Sequence, residues 1–167
     1  THVARVLVQP GDVFDGYVVQ DIDFDDFSVA LNDDGDFLFL ATDPTGAPAA
    51  ILKGNLFAPD QRSVVARVGA SYGGSLLSEI SPDGLAMNST GAIRFIAGSS
   101  EFAPPGHAVF TGTDAALVVP GGFVGMQQIG SVRSSALGLD DADNAVFYAS
   151  LAGTSTTALY HGTREVA

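Results

Sequence analysis

The chain has no cysteine and no tryptophan, a single lysine (Lys53), and only three glutamates among its acids, Glu79, Glu101 and Glu165. Without cysteine there are no disulfides, thiolate metal sites or cysteine nucleophiles, although that absence assigns no redox compartment. Basic residues are scarce: 7 Lys+Arg face 19 Asp+Glu, for a formal net charge of −12. Such a chain repels phosphate backbones, so nucleic acid is not an expected partner. Charged residues make up only 16% and the mean hydropathy is +0.27, too apolar for a disordered acidic tail. No apolar run approaches the ~18 residues of a membrane span, so no membrane span is expected. The opening Thr1-His2-Val3-Ala4-Arg5-Val6-Leu7-Val8 has neither a charged n-region nor a long apolar h-region. No signal peptide is therefore expected, and if the protein is exported this is its mature form.

What is present is 167 residues, 46% of them hydrophobic, with 20 glycines spread without collagen period. That is enough for one ordinary domain and too little for two. Three segments share a pattern: Leu31-Asn32-Asp33-Asp34-Gly35-Asp36-Phe37-Leu38-Phe39, then Met87-Asn88-Ser89-Thr90-Gly91-Ala92-Ile93-Arg94-Phe95, then Leu139-Asp140-Asp141-Ala142-Asp143-Asn144-Ala145-Val146-Phe147. Downstream of each comes a second mark: Ala50 to Gly54, Ala108 to Gly112 and Ala158 to Gly162. A third mark, Val64 to Gly69 and Ala116 to Gly121, has its remaining copy at the start of the chain, Val3 to Gly11. Marks recurring in one order, at a period of roughly 50 residues, predict a tandem repeat. The repeats run over 12–69, 70–121 and 122–167 plus 1–11, within a single domain 1–167.

Each repeat reads as four short strands. A polar turn at Asn32–Gly35 is followed by alternation over 36–42, with Phe37, Phe39 and Ala41 on one face and Leu38 and Leu40 on the other. Apolar residues on both faces predict a strand covered on both sides. No window carries a helical period long enough for a helix, so the expected class is all-β. Four strands over ~50 residues is the mark of a β-propeller blade, with a β-sandwich or β-prism as the alternative architecture. The third repeat stops at Thr163–Ala167, before its Val-rich strand, and the missing piece has the character of the N-terminal segment. Val3, Arg5, Leu7 and Gln9 are therefore the expected assembly strand. Three blades do not close, since rings have about 4–8, so this strand is expected to complete the sheet of a neighbouring copy, giving a closed ring or a filament.

At these residues the sequence resembles a family of bacterial secreted tandem-repeat proteins with an Asn-x-x-Gly-x-x-x-Phe signature. Asn32, Gly35 and Phe39 match it, as do Asn88, Gly91 and Phe95; the third copy keeps Phe147 but carries Asp140 and Asp143 in place of Asn and Gly. Ala4-Arg5 followed by Gly11-Asp12 is similar to the family's last segment, with extra residues between. The resemblance implies a propeller-like fold, export, and association with the cell surface or extracellular matrix. It carries over no active site.

The acidic turns are the best candidate for a cofactor site. Asp33, Asp34 and Asp36, and Asp140, Asp141 and Asp143, offer hard oxygens that suit calcium, and Asp21, Asp23 and Asp25 have the alternating spacing of a calcium loop. That loop lacks the following glycine, and Asn32 stands where an EF-hand has its bidentate glutamate. The competing explanation is that aspartate simply forms turns. His2, His107 and His161 show no zinc spacing, no Gly-x-Ser-x-Gly elbow exists, and no Gly-Lys-Ser/Thr follows the Gly pairs. Tyr17, Tyr72, Tyr148 and Tyr160 could stack on sugars, with Tyr148 and Tyr160 expected to be packed. The expectation is a non-enzymatic extracellular assembly protein whose partner is itself, without cofactor unless calcium. The alternative is a carbohydrate- or ligand-binding propeller, calcium-assisted, with a glycan as partner.

Overall fold

The computed structural model describes residues 6–22, 29–135, 137–162 and 164–165. The fold is all-β, with no helix among the described residues, and one sheet is a curled half-barrel. Strands fall into three groups along the chain. The first holds β1 (Val13–Phe14), β2 (Tyr17–Val18), β3 (Asp21–Ile22), β4 (Val29–Leu31), β5 (Asp36–Thr42), β6 (Pro48–Asn55) and β7 (Ser63–Arg67). The second holds β8 (Ser71–Tyr72), β9 (Ser75–Leu76), β10 (Glu79–Met87), β11 (Ile93–Ser99), β12 (Gly106–Thr111) and β13 (Ala116–Val118). The third holds β14 (Phe123–Val124), β15 (Gln127–Val132), β16 (Gly138–Leu139), β17 (Ala145–Leu151), β18 (Thr157–His161) and β19 (Arg164–Glu165). Strands β3 to β7 make a five-stranded sheet. Strands β10 to β19 form one ten-stranded sheet, joined across the second and third groups by a single pair, His107 with Val132, while β1–β2 and β8–β9 are separate two-stranded sheets.

Every group opens with a miniature hairpin closed by the same backbone bonds. Gly11, Gly69 and Gly121 donate their N–H to the carbonyls of Val19, Leu77 and Ile129, and those three residues donate back to Asp12, Ala70 and Gly122. The hairpins bury Phe14, Tyr72 and Val124 as well as Val19, Leu77 and Ile129, so each serves as a plug on its own group. The sequence reading missed these hairpins, because two-residue strands leave no alternation to detect.

Register explains which residues share a face. In the central hairpins Ala41 pairs with Ala50, Ala97 with Ala108 and Ala149 with Ala158, while Phe39 pairs with Leu52, Phe95 with Phe110 and Phe147 with Tyr160. These pairs form the first face of each group. The second face carries Leu40 with Ile51, Ile96 with Val109 and Tyr148 with Leu159. One core unites the second face of the first group (Leu38, Leu40, Ile51, Ala66) with the first face of the second (Phe95, Ala97, Ala108, Phe110). Another unites Ile96 and Val109 with Phe147, Ala149 and Tyr160, repeating the same juxtaposition one group later. A third lies under the first hairpin, where Phe14, Val19 and half-buried Val8 cover Phe39, Ala41 and Leu52. Successive groups therefore pack face to face, and ring contacts concentrate there: Phe95 stacks on Phe110 at 5.4 Å and meets Tyr72 edge-on at 5.2 Å.

Candidate self-association surface

The signature residues build one turn three times. Asn32, Asn88 and Asp140 each use a side-chain oxygen to accept the backbone N–H four residues on, at 2.9, 2.9 and 2.8 Å. Gly35, Gly91 and Asp143 donate to the backbone carbonyls of those same residues and hold φ of +79°, +81° and +65°. Glycine reaches this left-handed region without steric cost, and aspartate is among the few other residues that tolerate it. The signature thus specifies a turn with its own cap. Phe39, Phe95 and Phe147 are buried on the first faces, between groups or beneath the first hairpin.

Three basic side chains bond to residues of these turns. Lys53, paired with Leu38, reaches Asp36 at 2.7 Å; Arg94 donates to the Asp143 carbonyl at 3.0 Å; the His161 ring lies 2.8 Å from Asp140. Sequence reasoning overlooked this row, although counting the strand register out from the turn would have found it. Burial alone would raise Asp36, but hydrogen bonds from Lys53 and then Asn55 hold it below the usual carboxylate range. Asp140 is held well below that range, first by its hydrogen bond with His161 and then by Asn144.

The turns of the second and third groups are bonded to each other. Asn88 Nδ2 donates to the Asp140 carbonyl at 2.9 Å and to Asp143 Oδ1 at 2.7 Å, and the Ser89 hydroxyl donates to Asp141 Oδ1 at 2.7 Å. The calcium candidates are therefore dispersed among protein donors: Asp36, Asp140, Asp141 and Asp143 have the partners just named. Asp33 and Asp34 are exposed, and Asp21 caps the Ile22 N–H at 2.9 Å. No three His, Asp or Glu side chains converge on a metal-sized site among the described residues. Asp23 and Asp25 lie outside those residues.

Of the expected assembly strand, Val3 and Arg5 also lie outside the described residues. Leu7 and Gln9 are exposed and belong to no strand, and neighbouring Val8 rests on the first group's core. The fourth place in the third group is taken by β19, whose Glu165 and Arg164 pair with Tyr160 and His161. The rest of the outer edge of β18, Thr157 to Leu159, has no strand beside it among the described residues. In the first group the matching edge is paired from Ala50 to Lys53 by β7.

Two open polar grooves, of about 440 and 480 Å³, meet at Lys53, the larger reaching Arg94 and Asp143. Neither is lined by an aromatic ring. Tyr72 and Tyr160 are buried, their hydroxyls donating to the Thr111 carbonyl and to Gln127 Oε1, and Tyr17 is half-buried. Tyr148, expected to be packed, is instead 43% exposed. No helix among the described residues is long and apolar enough to cross a membrane. Comparison with protein-family models, with curated proteins and with solved structures finds no match to this chain.

Proposed function

We propose that the protein is a non-enzymatic, extracellular structural subunit that assembles with copies of itself by edge-strand complementation, its three strand groups serving as propeller-like blades. The observation that carries this reading is the outer edge of β18, where β19 pairs Tyr160 and His161 and, among the described residues, no strand lies beside Thr157 to Leu159. An exposed strand edge presents a row of unmet N–H and C=O groups, and a partner strand is what satisfies it. The N-terminal segment has the Val-rich character of the strands that fill this place in the other groups, and it lies at the opposite end of the chain. A second copy can therefore present it, and repetition of the contact gives a ring when the rotation closes and a rod when it does not.

A carbohydrate-binding reading has the two polar grooves in its favour, but sugar sites rely on exposed ring faces and neither groove contains one. Assembly is the better-supported reading. Negative-stain electron microscopy of the purified chain tests it. Rings or rods several chains in size are expected, and a field of separate particles the size of one chain would contradict it.

A further inference from the structure

The two ends of the stack are unlike, and each matches what covers the other's counterpart inside the molecule. On the second face, Leu40 of the first group and Ile96 of the second are 0% exposed, each covered by the group that follows. Tyr148 occupies the same register position in the third group and is 43% exposed, with Leu159 and Val146 half-buried beside it. At the other end, Leu85 in the second group is 8% exposed because it packs against the first group. Val29 holds the corresponding place opposite Phe39, as Leu85 does opposite Phe95, and is 62% exposed; Leu31, opposite Phe37, is 60% exposed. A shallow apolar groove of about 220 Å³ runs past Val29, Phe37, Phe39, Val6 and Leu7 at that end.

We infer that the second face of the third group, centred on Tyr148 and Leu159, receives the first face of the first group of another copy, centred on Val29 and Leu31. The inference rests on the self-assembly reading above and names the surface through which assembly occurs. The occupant is a second copy because the chain already makes this junction twice internally, between the same two kinds of face. The surfaces at the two ends are its unmade halves. The contact is head-to-tail: the surface that donates is not the surface that receives, so every copy has one of each. At the rim the internal pattern sets Ser89 against Asp141; in the new junction Asp141 takes the place of Ser89 and faces Asp33. This like-charge pair is screened by salt, so the association is measured at ionic strength of about 0.5 M.

Two single substitutions, Tyr148→Asp and Leu31→Asp, each spoil one end and leave the other intact. Both positions are exposed, so circular dichroism is expected to match the parent; Tyr148→Ser and Leu31→Ser serve as milder versions should either aspartate variant fold poorly. Each variant alone is expected to associate at least about 30-fold more weakly than the parent, the effect of losing a well-packed interface anchor. Mixed in equal amounts, the two variants are expected to form a heterodimer, the intact first group of Tyr148→Asp seated on the intact third group of Leu31→Asp. Light scattering on a sizing column reads all three samples. Single variants that assemble like the parent, or a mixture that stays monomeric while the parent assembles, would overturn the stacking inference and leave edge-strand assembly standing. A parent chain that never assembles would overturn both.

Discussion

Asn88 is 5% exposed, and every polar atom of its side chain has a partner: Oδ1 accepts from Thr90 and Ala92, and Nδ2 donates to the Asp140 carbonyl and Asp143. Asn32 holds the same place in the first turn, but among the described residues its buried Nδ2 has no hydrogen-bond partner, because Gly91 stands where the next turn has Asp143. Truncation therefore costs the two unequally. Asn88→Ala is expected to lower stability by about 2–4 kcal/mol and Asn32→Ala by about 1 kcal/mol, since only the first leaves several buried groups unmet. Urea denaturation with an unchanged slope measures the difference, and equal losses would contradict the bonding described. Asp140 supplies a pH effect. Its folded-state pKa is depressed, so its contribution is complete above the ordinary carboxylate value of about 4 and is lost as pH falls toward the lower folded value. Asp140→Asn is therefore expected to show a shallower fall in Tm below about pH 4 than the parent. Parallel acid limbs for the two proteins would show that the His161–Asp140 contact adds nothing.

At the scale of elements, alternation was the informative signal. The pattern over 36–42 predicted a strand apolar on both faces, and β5 spans Asp36–Thr42 with Phe37, Phe39 and Ala41 in one core and Leu38 and Leu40 in another. The Asx-x-x-Gly turn was legible because its chemistry is local: one side-chain oxygen and one left-handed residue fix it. The hairpins β1–β2 and β8–β9 were not legible, since their strands have two residues each and their stability comes from plugging a face made elsewhere in the chain. Tyr148 was misplaced for a similar reason. Its strand position is the same as that of Leu40 and Ile96, and what differs is packing from elsewhere in the fold, which alternation along one strand does not encode. The local pairing of Arg164 and Glu165 with His161 and Tyr160 was likewise not read from the sequence, since a two-residue strand leaves no alternation to detect. Packing between groups makes Phe95 the element-scale test: it is fully buried and in ring contact with both Tyr72 and Phe110. Phe95→Ala is expected to cost about 3–5 kcal/mol in equilibrium unfolding. A loss below about 1 kcal/mol would mean that the faces do not carry the core described here.

For the molecule as a whole, the deciding feature is what lies at its ends. Two face-to-face junctions are closed within the chain, while Tyr148 in the third group and Val29 and Leu31 in the first stand exposed; among the described residues, Thr157 to Leu159 of β18 have no strand beside them. Exposed apolar surface of this kind, contiguous and matched to an interior junction, marks an interaction site more than scattered surface residues do. The net charge of −12 opposes close approach of two copies, a repulsion that added salt screens. Of the candidate surface, the turn residues were legible in the sequence, whereas the exposure of Tyr148, Val29 and Leu31 depends on how the groups stack in three dimensions. Mass in solution tests the account most directly. Light scattering over a wide dilution series is expected to give a mass that rises with concentration to multiples of 17.1 kDa. A constant 17.1 kDa at every concentration and ionic strength, with the fold intact, would contradict it.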